Sequence, residues 1–211
     1  MTQLILALDA TSREEAVAIA ELTVEYLDYI KIGYPLVLAA GISVADEITA
    51  LGVPVIADFK VADIPHTNTL ICDLAFAAGC SAVICHAFPG SDSLLACVDS
   101  AHNHGGECFV VCEMSHPGGG EWFGGGVAER FCAMAVGAGA DGIIAPATRP
   151  ARVAALREIL GEKKIYSPGV GAQGAAPEDV KHLVDGVIVG RAIYAAEDPG
   201  AAAAEYARRC R

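Results

Sequence analysis

Short apolar runs recur along the chain: Leu4–Leu8, Tyr29–Ile32, Val53–Ala57, Ser81–Cys85, Cys108–Cys112, Gly142–Ala145, Lys164–Tyr166 and Val187–Val189. A strand with one face in water alternates apolar and polar residues. A strand covered by helices on both faces stays apolar throughout, and these runs are of the second kind. They read as parallel strands. Helical patterns fill the gaps and give one βα unit roughly every 25 residues. The junctions share a design: "AFAAGCSAVICH", "AVGAGADGIIAP" and "ALGVPVIADF" each carry small residues, a Gly suited to a left-handed helix end, and then a strand. Thr11-Ser12-Arg13-Glu14-Glu15 offers a cap and early acids for the first helix. Eight units predict a single-domain α/β (β/α)8 TIM barrel over residues 1–211, with an open doubly wound sheet as the alternative. No Pro/Ser linker or charge block divides the chain. The Gly-rich break Gly118–Gly126 reads as a loop.

Composition narrows the choice of partner. The chain has 211 residues, 54% of them hydrophobic and 19% charged, which suits one packed domain. Its net charge of -12 argues against nucleic acid or an anionic membrane, both of which favour basic surfaces. A few local cations can still hold an anionic small ligand. The N-terminus shows no basic region ahead of an apolar segment, and no run is long enough for a bilayer. There are eight Cys but no C-x-x-C pair, and most sit within apolar elements. They read as small buried hydrophobes in a reducing cytoplasm.

In a barrel of this kind, reactive groups gather at the C-terminal mouth. The first run ends at Asp9, the second carries Lys31, and the third leads into Asp58 and Lys60 of "DFKVADIPHTN". Asp58 and Lys60 are spaced i, i+2 and are expected to point the same way. Four such charges on three neighbouring strands carry a large desolvation cost. That cost favours a functional array over a structural salt-bridge rim.

"SPGVGAQG" contains Gly169-x-Gly171-x-x-Gly174, the spacing of a dinucleotide loop. However, it follows the seventh strand, and the next strand ends in Gly190-Arg191 where a ribose-binding acid would be needed. A phosphate site built from the loops after strands seven and eight fits better, with Arg191 as a bidentate partner. The fifth strand exits into "EMSHPGGGEWFGGG", placing Ser115 at the mouth. The segment 116–126, with an apolar tip at Trp122-Phe123, suits a lid. His66, His86 and His116 fall near the mouth without metal-ligand spacing. Asp9, Asp58 and His86 form the one candidate metal set.

Taken together, "LILALD", "YIKIGYPLVL", "IADFKVADIPHTN", "EMSHPG", "SPGVGAQG" and "IVGRAIYAA" make the chain similar to the orotidine 5′-monophosphate decarboxylase family, archaeal type. The D-x-K-x-x-D motif alone is shared with sugar-phosphate relatives, 3-keto-gulonate 6-phosphate decarboxylase and hexulose-phosphate synthase. Those enzymes use Mg²⁺ and have an acidic ligand on strand two, where this chain has Lys31.

The resemblance implies decarboxylation of orotidine 5′-monophosphate to UMP in de novo pyrimidine biosynthesis, with neither cofactor nor metal. It implies that Asp9 and Lys31 bind ribose hydroxyls. Asp58, Lys60 and Asp63, beside Lys31, form the charged array at the reacting carbon, and Lys60 donates the proton. Ser115 bonds the pyrimidine. Pro168, Gly169, Val170 and Gly171 line the site. Gln173 links base edge and phosphate, and Gly190 and Arg191 hold the phosphate. Asp63, Ile64 and Thr67 reach the neighbouring subunit's site in a homodimer. Two other readings compete: a Mg-dependent sugar-phosphate decarboxylase or aldolase, and a non-catalytic phospho-ligand binder that would keep "GVGAQG" and Arg191 without needing Lys60.

Overall fold

Local chemistry starts the first helix, Arg13–Thr23, where the sequence places it. Ser12 is extended at its N-cap and its hydroxyl accepts from the Glu15 N–H at 3.2 Å, while Glu14 and Glu15 occupy the first turn. The computed structural model describes residues 1–211. Eight strands form one closed parallel ring in chain order: β1 (Gln3–Leu8), β2 (Tyr29–Gly33), β3 (Val55–Val61), β4 (Ala82–His86), β5 (Glu107–Val111), β6 (Gly142–Ile144), β7 (Lys164–Val170) and β8 (Gly186–Val189). The ring closes where Gln3 of β1 pairs with Gly186 of β8. Each strand leads to a helical segment on the outside, and the longest of these include Pro65–Ala77, Ser91–Asn103, Val127–Ala138 and Pro199–Cys210. The structure is therefore a (β/α)8 barrel.

Every expected strand is present. Gly79 and Gly139 adopt φ of 85° and 81° at the two matching helix-to-strand junctions, a conformation that a Cβ penalises. Two strands run further than the apolar runs suggest. β3 continues to Val61 and β7 to Val170, each through a register shift, between Ala57 and Val61 and between Pro168 and Val170. A bulge bends its strand and re-aims side chains. These two strands carry Asp58, Lys60, Pro168, Gly169 and Val170.

The core has two layers. A cluster of 52 buried residues fills the space between barrel and helices. Ten more fill the barrel itself, with Phe109 and Tyr166 low and Ile84, Val111, Ile144 and Ile188 high. Each fully buried Ile or Phe side chain contributes about 1.5–3 kcal/mol relative to exposure. The lower end is sealed by polar contacts. Tyr166 is fully buried, stacks on Phe109 at 4.6 Å, and donates to Gln3 Oε1 at 2.8 Å. Tyr29 donates to Glu107 Oε2 at 3.3 Å, and Lys164 pairs with Glu107. All eight cysteines are buried and unpaired. His102 and His104 are exposed at a helix end beside Asp141 and Asp73. No helix is long and apolar enough to cross a membrane.

Candidate active site

At the upper end of β2, Lys31 is only 7% exposed. Its neighbour in β3 is Asp58, placed opposite Gly33. Lys31 Nζ lies 2.7 Å from Asp58 Oδ2, and Lys60 Nζ lies 2.8 Å from Asp58 Oδ1. Two cations thus share one carboxylate. Burial alone would raise the Asp58 pKa, but the Lys31 and Lys60 ammonium groups outweigh it and hold the carboxyl below its ordinary value.

Asp58 and Lys60 face the same recess, but an ordinary pleat does not bring them there. Lys60 has φ of 47°, the only non-glycine residue with positive φ. A left-handed residue with a side chain costs about 1–2 kcal/mol. Local contacts hold it. Phe59, between the two charges, is buried and stacks on Tyr34 at 5.6 Å, and the Tyr34 hydroxyl donates to the Phe59 carbonyl at 2.6 Å. Such strain concentrates at functional sites.

Three cavities share lining residues and form one trough. The deepest, about 140 Å³, lies between Lys31, Asp58 and Lys60 on one side and Ile84, Val111, Ile144 and Ile188 on the other, with Ser115 and Pro168 at its edge. The next, about 280 Å³, adds Asp9, Gly169, Val170, Gln173, Gly190, Arg191 and Tyr194. The outermost, about 580 Å³, is bordered by Ser115, His116, Thr148, Arg149, Gln173 and Arg191. The trough therefore runs from an apolar, charge-flanked recess to a cationic rim. Arg191 opens a short helix, Arg191–Tyr194, whose first N–H groups lack helical acceptors.

Four expected residues lie elsewhere. Gly171, at φ of 79°, faces the outer helices: a Cβ there would sit 2.8 Å from Ala192 Cβ and Tyr206 Oη. Asp63 and Ile64 border a separate cavity, and Thr67 lies in the first turn of the helix Pro65–Ala77. Asp63 is exposed, and its Oδ1 accepts from the Ile64 N–H at 2.7 Å without meeting a cation of its own chain. The segment 116–126 contains a helical turn, Gly119–Trp122. Trp122 is exposed and borders an apolar cavity with His86, Phe88, Phe123, Val127 and Phe131, beside the charged recess.

Other parts of the site escape the sequence motifs. The apolar wall of Ile84, Val111, Ile144 and Ile188 follows from inward-facing positions on four strands. Glu113 is 3% exposed; its Oε2 accepts from Arg152 Nε at 2.8 Å, and Arg149 Nε lies 2.7 Å from its Oε1 without hydrogen-bond alignment. Arg149 also donates to the Met114 carbonyl, and Arg152 to Glu129 Oε1 at 2.6 Å. These arginines brace the β5 exit that carries Ser115. His86, at the end of β4, has a buried Nδ1 with no hydrogen-bond partner. Burial first, and the charge of Lys60 second, push its pKa down to about 4. Asp58 has both oxygens on lysines, and no group of three or more His, Cys, Asp or Glu is arranged to hold a metal ion.

Comparison with known proteins places this geometry. Residues 2–206 match the model of the orotidine 5'-phosphate decarboxylase / HUMPS family. The chain belongs to this family. A protein of Methanosarcina mazei named orotidine 5'-phosphate decarboxylase is 56% identical over 208 residues, covering 98% of this chain and 94% of that one. A protein of the same name from Pyrococcus furiosus is 43% identical over 203 residues, covering 95% and 93%. Among solved structures, orotidine 5'-monophosphate decarboxylase of Methanocaldococcus jannaschii, complexed with the inhibitor BMP, superposes with a TM-score of 0.95 at 42% identity, covering 100% of this chain and 99% of that one. The family description spans two branches, orotidylate decarboxylases and HUMPS; these three similar proteins carry the name of the first.

Proposed function

We propose that this chain decarboxylates orotidine 5′-monophosphate to UMP in de novo pyrimidine biosynthesis, without metal or cofactor. The observation that carries this reading is the Lys31–Asp58–Lys60 cluster, which opens onto an apolar recess in the same trough as Gln173 and Arg191.

The roles follow from position. Gln173, Gly190 and Arg191 hold the phosphate at the cationic rim. Asp9 and Lys31 meet the ribose hydroxyls. Ser115 bonds the pyrimidine at the lip of the recess, beside Pro168, Gly169 and Val170 at the end of β7, and Gly171 turns the chain just beyond them. C6 then sits at Lys60. The C6–carboxylate bond breaks, its electron pair stays on C6, and CO₂ leaves toward the apolar wall. No neighbouring carbonyl takes up the charge, so a fixed cation at C6 must stabilise it. Lys60 supplies that cation and then its proton to C6, and recovers a proton from solvent. Asp58 keeps the ammonium in place before the charge develops. A second carboxylate about 4 Å from Asp58 would repel it by roughly 4 kcal/mol at an effective dielectric near 20, a stress relieved as CO₂ forms. Phosphate binding, remote from C6, supplies energy for orienting the base and for ordering the flanking loops, the segment 116–126 included.

The enzyme is further proposed to be a cytoplasmic homodimer in which Asp63, Ile64 and Thr67 complete the partner's site. Two facts support this. The Asp63 carboxylate lies apart from both lysines of its own chain, and exposed Ile64, Leu70 and Leu74 form an apolar strip beside it. The decisive measurement is the fall in orotidylate absorbance with purified protein in EDTA. Unchanged turnover is expected. Loss with chelator, restored by Mg²⁺, would move the assignment to the metal-dependent branch.

A further inference from the structure

Asn68 is completely buried in the first turn of the helix Pro65–Ala77, and all its polar groups are engaged. Its Oδ1 accepts from the Asp63 N–H at 2.9 Å. Its Nδ2 donates to the Ser93 carbonyl at 3.0 Å and to Ser93 Oγ at 2.7 Å. Ser93, 2% exposed on the helix Ser91–Asn103, donates its hydroxyl to the Asp63 carbonyl at 2.7 Å. The four bonds close a ring through the two backbone groups of Asp63. Neither Asn68 nor Ser93 lines the trough.

A buried amide and hydroxyl are costly unless every donor and acceptor is matched. Here they are matched, and both grip the backbone of a residue whose carboxylate is exposed. Fixing both sides of one residue leaves its side chain a narrow range of directions. We infer that Asn68 and Ser93 are positioning residues that aim the Asp63 carboxylate into the active site of a second copy of this chain. This rests on the shared-site reading above. The alternative is a brace between two helices, which would serve only the barrel that contains it.

The two roles differ in which site a lesion damages. Asn68→Ala homodimers are expected to lose at least tenfold in kcat. Lys60→Ala inactivates its own site. When Asn68→Ala and Lys60→Ala subunits are dissociated, mixed equally and re-paired, half the dimers are mixed. If Asn68 acts across the interface, each mixed dimer has one site with both lesions and one with neither, so activity rises to about a quarter of wild type. A brace within one barrel leaves a lesion in every site, and mixing restores nothing. An Asp63→Ala and Lys60→Ala mixture runs in parallel, with subunit exchange confirmed by mass.

Recovery in both mixtures supports the inference. Recovery with Asp63→Ala alone overturns it and leaves the shared site standing. Recovery in neither overturns both. If Asn68→Ala fails to fold, Ser93→Ala, which removes a single hydroxyl, takes its place in the same mixture with the same outcomes.

Discussion

The two ends of the barrel use similar residues to opposite ends. At the bottom, Lys164 and Glu107 pair one to one, the Tyr29 and Tyr166 hydroxyls find acceptors, and aromatic rings close the interior. At the top, Lys31 and Lys60 crowd one carboxylate, Lys60 is held in a left-handed conformation, and His86 carries a buried nitrogen without a partner. The bottom is electrostatically complete and relaxed. The top has more cations than its anion neutralises and stores backbone strain. An incomplete, strained polar cluster is what a site looks like while it waits for an anionic ligand, and a balanced one is what a fold uses to stay shut.

The contrast can be broken most forcefully at Lys60. Lys60→Ala removes the cation and the proposed proton donor together, and kcat should fall by several orders of magnitude. The melting temperature should change little, because the variant loses an ion pair already shared by Lys31. A loss below tenfold in kcat would place the chemistry elsewhere. Next comes the far end of the trough. Arg191→Ala should reduce kcat/KM for orotidylate by about 2–4 kcal/mol in ΔΔG‡, the scale of a lost charge-assisted phosphate contact. The phosphate-free nucleoside should be turned over equally by both forms; parallel losses on the two substrates would instead point to misfolding.

The bottom should show the reverse signature. Glu107→Gln should cost about 1–2 kcal/mol of stability through the lost partner of Lys164 and Tyr29. For a chain of this size that lowers Tm by roughly 2–8 °C. Turnover per folded molecule should stay the same, and a matching fall in kcat would erase the distinction between the ends.

The smallest effect concerns acid. Burial holds the folded His86 pKa down at about 4, below the ordinary 6.5 that the unfolded chain retains. Between those values the unfolded chain binds more protons, so stability falls as pH drops from about 6.5 toward 4. Asp58 has the opposite origin and a lower window. Its depressed pKa gives stability that is full above the ordinary value of 3.8 and is lost as pH falls through the folded one. His86→Leu should flatten the stability profile between pH 4 and 6.5 and leave the steeper loss below it. An unaltered slope in that window would mean that His86 is solvated in the folded protein.

Much of this was legible in the sequence because it is encoded locally. Strands buried on both faces are continuous apolar runs, and Gly79 and Gly139 mark helix ends wherever they occur. Asp58, Lys60 and Arg191 are conspicuous because charge at a strand end is costly. What could not be read depends on distant pairing. Ile84, Val111, Ile144 and Ile188 look like any core residue until the ring closes and brings them to one wall. Glu113 and Arg152 are 39 residues apart, and Asn68 and Ser93 are 25 apart, so neither pair leaves a motif. The strand extensions through Lys60 and Val170 escape for another reason. They interleave Asp58, Lys60, Ser167, Pro168 and Gly169 with buried Phe59, Val61 and Val170, so no continuous apolar run marks them, and each passes through a register shift.

The seam between β1 and β8 bears on how the molecule is made. Asp9 follows the first strand and Arg191 the last, so the trough is assembled across the junction that closes last during synthesis. A nascent chain can stack most of its units in order, but β1 lacks one neighbour until residue 186 has emerged, and until then two sheet edges remain open to other chains. Ring closure and a complete ligand site should therefore appear in the same event. Chains truncated before Gly186 should be cut rapidly by protease and gain no protection from UMP, whereas the full chain should be resistant and become more so with the nucleotide.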